Sequence, residues 1–213
     1  MSIKGMVRAK CPFGCGEFEA EIWTLVRGDT DSALRETLKT GELNLLICPV
    51  CGRTFHHEDA LIYFDPASEI LAFGFPRSYE AESEKWRRKM AEDHAALGKS
   101  LLTEKSLSAE PEMFFGLEGI KALLESEDIT AEETEVISCI AQTLGLKTAK
   151  VRPSWARARG VSRLIPFTSA VLSRKAAEEG LRKVMAKNDS IPGLARLLEE
   201  MEKMPGEEMP PLA

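Results

Sequence analysis

Two short stretches carry the residues best suited to chemistry: Cys11-Pro12-Phe13-Gly14-Cys15-Gly16 and Cys48-Pro49-Val50-Cys51-Gly52. Each is a Cys-Pro turn closed by glycine. A zinc ion takes four soft ligands in a tetrahedron, and a turn presents two sulfurs to one ion only where the chain reverses sharply between them. Proline fixes φ at the start of such a reversal, and glycine accepts the left-handed conformation after the second Cys. Backbone N–H groups are then expected to point at the thiolates. The two turns together make a Cys₄ set of Cys11, Cys15, Cys48 and Cys51, and zinc is the cofactor that this set predicts.

Positions 16 to 47, 32 residues, separate the two pairs. That exceeds the roughly 15–20 residues of the commonest spacing, and an inserted strand and helix account for the excess. The first pair is Cys-x₃-Cys and the second Cys-x₂-Cys, both within the range of about two to four residues seen in zinc sites. Cys48-Pro-Val-Cys51 also resembles the Cys-Pro-x-Cys of glutaredoxin-like enzymes. That motif belongs at a helix N-terminus, where the thiol pKa falls. Here the strand-like Gly52-Arg-Thr-Phe55 follows, and thiol–disulfide chemistry leaves the other pair without a purpose. His56 and His57 follow Cys51 closely, but with four cysteines present they read as surface or supporting residues. No nucleophile, base and orienting acid assemble by spacing, so the chain is not expected to be an enzyme.

Other side chains suggest weaker sites. Lys150, Arg152, Trp155, Arg157, Arg159 and Arg163 form the most basic stretch, with an aromatic able to stack on a base or on a partner's side chain. The plainer reading is a solvated loop or helix face carrying a half-buried Trp. Glu125, Glu127, Asp128, Glu132, Glu133 and Glu135 form an acidic counterpart that could pair with it. Cys139 lies in Val136-Ile-Ser-Cys-Ile140 and is expected to be a buried, inert thiol. His94 sits in a helical stretch and reads as solvated. Trp86, beside Arg87, Arg88 and Lys89, is expected to pack between domains.

The elements that must position these residues change texture along the chain. Phe18, Ala20, Ile22 and Thr24 alternate with Glu19, Glu21, Trp23 and Leu25, which predicts a strand with two unlike faces. Leu43–Ile47 predicts a second strand. Between them, Asp29 or Thr30 caps a short helix carrying Leu34 and Leu38, ended by Gly41. Leu61–Phe64 and Ile70–Phe73 flank the turn Asp65-Pro-Ala-Ser68 and predict a β-hairpin. From Tyr79 onward Glu, Lys, Arg, Ala and Met dominate. Helices are predicted over Ala81–Leu102, Met113–Glu125, Ala131–Leu144, Thr168–Lys187 and Ile191–Met204. Thr130 with Glu133 is read as a capping box, Gly145 as a stop, and Pro192 as a first-turn residue after Ser190.

The predicted fold class is α+β, a small β-rich zinc-ribbon domain over residues 1–80 followed by an all-α domain over 81–204. The boundary is expected near Phe75 to Glu82, and residues 205–213, rich in Pro, Glu and Met, read as a disordered tail. The chain has 44% hydrophobic residues, a formal charge of −6 and a pI near 5.3. Such an acidic balance argues against a general nucleic-acid or membrane-surface binder. The first ten residues lack the apolar run of a signal peptide, and no segment approaches the roughly 20 apolar residues of a membrane span. Thiols in close pairs suit a reducing compartment, so a cytoplasmic protein is expected.

A resemblance also runs through these residues: Cys11-Pro-x-x-Cys-Gly, Glu21-Ile-Trp-Thr24, Leu34-Arg-Glu-Thr-Leu-Lys-Thr-Gly-Glu-Leu-Asn44, Cys48-Pro-Val-Cys-Gly, and Tyr63-Phe-Asp-Pro66. Their order is similar to that of the CpXC domain family of bacterial and archaeal proteins, over roughly Lys10 to Pro76. The extra residue in the first pair departs from that pattern. The resemblance implies a zinc-ribbon-like domain and says little of activity. Phe115-Gly-Leu-Glu118 is similar to the start of the helical extensions that follow it in such proteins. The reading that results is a non-catalytic module binding another protein, with structural zinc. Two other classes remain: a nucleic-acid-associated regulator using the ribbon and residues 150–163, and a thiol oxidoreductase. Partner, pathway and oligomeric state are not legible in the sequence.

Overall fold

The computed structural model describes residues 1–100 and 110–213, which form two compact units, Met1–Glu125 and Ser126–Ala213. In the first unit, strands β1 (Ile3–Lys10), β2 (Glu17–Arg27), β5 (Leu61–Asp65), β6 (Ile70–Phe75) and β7 (Glu112–Phe115) form one sheet in the order β1-β2-β5-β6-β7. The pairs β1·β2 and β5·β6 are antiparallel, whereas β2·β5 and β6·β7 are parallel. The helix α1 (Ser32–Lys39) and the strands β3 (Leu45–Ile47) and β4 (Thr54–His56) lie between β2 and β5 in sequence. β3 and β4 make a separate antiparallel ribbon.

Alternation along β5 and β6 explains why both faces of the sheet are covered. Leu61, Tyr63, Ile70 and Ala72 point to one side, where they meet Leu34 and Leu38 of α1 and Ile120 and Leu124. Ile62, Phe64, Leu71, Phe73 and Phe75 point to the other, against Trp86 and Met90 of α2 (Ser83–Ser100). The Asp65 turn forms as predicted: its Oδ1 accepts from the N–H groups of Ala67 and Ser68 at 3.0 and 3.2 Å. Near the start of the chain the Ser2 hydroxyl donates to Asp31 and accepts from Arg27 N–H at 2.9 Å. This holds the Asp31 carboxyl below its ordinary pKa of 3.8.

The units divide after Glu125 rather than near Phe75 to Glu82, because β7 extends the sheet and Ile120 and Leu124 complete its core. Glu112–Phe115 is thus a strand where a helix over Met113–Glu125 was expected. A 3₁₀ turn, Arg77–Glu82, precedes α2. The expected end of that helix at Leu102 lies outside the described residues. Trp86 packs inside the first unit, stacked on Tyr79 at 4.1 Å and tilted against Phe75 at 5.2 Å.

One continuous helix, α3 (Glu118–Thr143), replaces the two expected around Thr130. Thr130 does not cap. Its hydroxyl donates to the Ser126 carbonyl one turn back at 2.8 Å, a bond that a threonine inside a helix can make. Gly145, at φ 65, follows α3 as expected.

The second unit is not purely helical. β8 (Lys147–Lys150) and β9 (Leu164–Phe167) pair antiparallel on either side of α4 (Pro153–Arg159), and α5 (Arg174–Met185) and α6 (Pro192–Lys203) complete it. The helix expected from Thr168 begins only at Arg174, where Ser173 Oγ accepts from Ala176 N–H at 3.3 Å. All four residues of β9 are buried, in a core with Ile137, Leu181, Val184, Leu194, Leu197 and Met201. Residues 205–213 are not a loose tail. Leu212 bridges Val151, Arg152 N–H donates to the Pro211 carbonyl at 2.8 Å, and Ala213 N–H to that of Lys150 at 3.0 Å. None of the described helices is long and apolar enough to cross a membrane.

Candidate metal centre

Each cysteine pair occupies the turn of an antiparallel hairpin. Cys11 follows β1 and Cys15 precedes β2; Cys48 follows β3 and Cys51 precedes β4. In the first turn Gly14 N–H donates to the Cys11 carbonyl at 3.2 Å and Cys11 N–H to that of Gly16 at 3.0 Å. In the second, Gly52 N–H donates to the Cys48 carbonyl at 2.8 Å and Cys48 N–H to that of Arg53 at 2.9 Å. Gly16 at φ 98 and Gly52 at φ 69 take the left-handed backbone that the sequence predicted after each pair. The extra residue of the first pair is absorbed by Gly14, also left-handed at φ 87. Few residues but glycine adopt two such turns in three positions without strain.

The four sulfurs converge, all lying within 4.8 Å of one another, with Cys11 Sγ and Cys51 Sγ 3.9 Å apart. A tetrahedron with metal–sulfur bonds of about 2.3 Å has sulfur–sulfur edges of about 3.8 Å, so one ion fits among them. All four are free thiols. Cys11 and Cys48 are buried, Cys15 is half-buried and Cys51 is exposed. Among the described residues no other group of three or more His, Cys, Asp or Glu comes close enough to hold an ion. His57 lies 3.9 Å from Asp59 instead.

A hydrogen bond to Cys51, then burial and bonds to Cys11 and Cys48, push the Cys15 thiol up to about 12. The backbone N–H groups of Cys51, above all, and of Val50 bring Cys48 down to about 7. Cys48 is therefore the thiolate prepared by its own turn, as expected of a Cys-Pro knuckle. Cys15, whose proton those bonds hold, is the one that gains most from a cation in its place.

Three contacts fasten the second hairpin to the first. Phe18 meets Phe55 edge to face at 6.1 Å, and the Arg53 guanidinium lies 4.7 Å over the Phe13 ring. The third contact escaped the sequence reading: Asn44 Oδ1 accepts from Trp23 N–H at 2.8 Å, and its Nδ2 donates to the Trp23 carbonyl at 2.9 Å. The side-chain amide thus pairs with β2 as a strand would. It does so from φ 60, a backbone that Asn tolerates better than most residues. The sequence signal was present, an Asn three residues beyond the helix-stopping Gly41.

The basic stretch is divided. Arg163 Nη2 binds both oxygens of the buried Glu127 at 2.5 and 2.6 Å, and Arg157 Nη1 reaches the same carboxylate at 3.4 Å. Arg159 stacks on Trp155 at 4.5 Å and lies 3.5 Å from Glu200, while Lys150 is exposed and Arg152 half-buried. Cys139 is exposed, contrary to expectation, because α3 turns Ile137 and Ala141 inward and Cys139 away from them.

The sequence model of a family described as CpXC protein matches residues 9–126, more than half the chain. No curated protein and no solved structure matches.

Proposed function

The chain belongs to the CpXC family, and from that premise we propose that it is a non-catalytic module in which one zinc ion, held by Cys11, Cys15, Cys48 and Cys51, fixes two hairpins and presents an apolar surface to a partner protein. The convergence of four sulfurs within 4.8 Å carries this reading. Four thiolates select zinc or an iron–sulfur centre over harder cations, and they fill a tetrahedral shell. A filled shell leaves no open position for substrate, which supports a structural role. Free thiols in this number suit a reducing cytoplasm.

The partner surface is argued from exposure. Leu45 and Ile47 on β3 are 42% and 64% exposed, Val50 at the second turn 74%, and Phe13 at the first 47%. Apolar side chains gathered on the turns and ribbon that an ion organises suit protein binding better than solvation. The test is co-purification from the host with tagged wild-type chain and with the double variant Ile47→Ser, Val50→Ser. The double variant is expected to keep its metal and lose its partner. Retention of the same partner at the same yield would show that the contact lies elsewhere.

A further inference from the structure

The arginines of the second unit that the metal centre leaves unexplained converge on a cavity of about 180 Å³, room for several waters or for one phosphate-sized ion. Glu127 and Glu133 of α3, Arg157 of α4, Arg163, and Arg196 of α6 line it together with Gly160 and the first turn of α6. Three arginines and two glutamates thus share the cavity, and two of the arginines, Arg163 and Arg196, keep donors to spare. Arg163 engages Glu127 through Nη2 alone, and its buried Nε–H has no acceptor among the described residues. Arg196 has no carboxylate within ion-pair distance among the described residues. Its Nη1 lies over Gly160, only 2.6 Å from where a Cβ would stand, so the missing side chain at 160 is what lets this guanidinium reach across the cavity.

We propose that this cavity binds a phosphate-sized oxyanion, as free phosphate or as the phosphoryl end of a small ligand. Glu127 holds Arg163 in place, since a buried carboxylate with a short two-oxygen contact fixes the guanidinium that it binds. Arg196 then closes on the anion from the rim. Glu133 opposes binding and sets its strength.

The test is titration of the full chain with inorganic phosphate, and separately with glycerol phosphate, at constant ionic strength, followed by calorimetry and phosphorus NMR. Saturable binding is expected for phosphate, and tighter binding of the ester would identify a phosphoryl ligand as the source. Arg196→Gln is expected to weaken binding about tenfold, the loss of one charge-assisted contact. The exposed side chain of Arg196 makes the melting temperature of the free chain a fair control. Glu133→Gln should act in the opposite direction and tighten binding. Absence of saturable phosphate binding, or equal affinity in wild type, Arg196→Gln and Glu133→Gln, would overturn the proposal.

Discussion

Among the described residues, β3·β4 and β8·β9 each form an antiparallel two-stranded ribbon, and they are held by opposite means. β8 and β9 lie against a hydrophobic core in which every residue of β9 is buried. β3 and β4 have almost no core: between Leu43 and His57 only Leu43 and Cys48 are buried. An isolated two-stranded hairpin is marginal in water, so the second ribbon must borrow stability from something other than apolar area. The contacts open to it are the Asn44 amide, the ring contacts of Phe55 and Arg53, and a sulfur cluster able to hold an ion. The comparison teaches that a ribbon left open to solvent cannot draw its stability from buried apolar area and must take it from polar contacts and from a thiol cluster able to hold an ion.

The largest effect that separates the two ribbons is expected for Cys48→Ser. Metal binding in small domains contributes folding free energy on the order of 10 kcal/mol, far more than the few contacts around β3 and β4. Hydrogen exchange should show protection lost over residues 11–16 and 44–57. The buried strands β5 and β6 should keep theirs, because their core of Leu61, Tyr63, Phe73 and neighbours does not include the cluster. Protection retained throughout would deny the ion its structural role.

The next effect belongs to the other ribbon. Gly180 of α5 packs so closely on β9 that a Cβ there would stand 2.3 Å from the Pro166 carbonyl oxygen. Gly180→Ala should therefore cost about 2 kcal/mol by overpacking, even after the small gain in helix propensity. Denaturant unfolding measures it, and metal content should be unchanged. A neutral or stabilising result would mean that α5 and β9 are not packed as described.

How much of this was legible in the sequence differs between the same two regions. Around the cysteines, local chemistry dictates local structure: proline and glycine at fixed offsets encode each turn, so both knuckles and their partners could be read residue by residue. β9 carries no such signal. Leu164-Ile-Pro-Phe167 is a short apolar run that fits a buried strand or a helix equally well, and only packing against α5 decides. β7 was missed for the same reason, since Glu112-Met-Phe-Phe115 becomes a strand by pairing with β6. Cys139 shows the converse, for its apolar neighbours hid which side of α3 it occupies.

A smaller effect sharpens the account of the open ribbon. Asn44→Ala removes both hydrogen bonds to Trp23 and leaves a partly buried N–H and carbonyl without partners, a loss of about 1–2 kcal/mol. Asn44→Asp should restore only the accepting half. Because the amide aligns the second hairpin with the first, the variant should also release metal to a competing chelator more readily. Unchanged chelator resistance would separate the clasp from the metal site.

The most direct test of the central claim is X-ray absorption spectroscopy at the zinc edge of the purified full chain. One zinc per chain is expected, with four sulfur neighbours at about 2.3 Å and no nitrogen or oxygen bound to it. A first shell containing nitrogen or oxygen, or a preparation carrying iron or no metal, would contradict it.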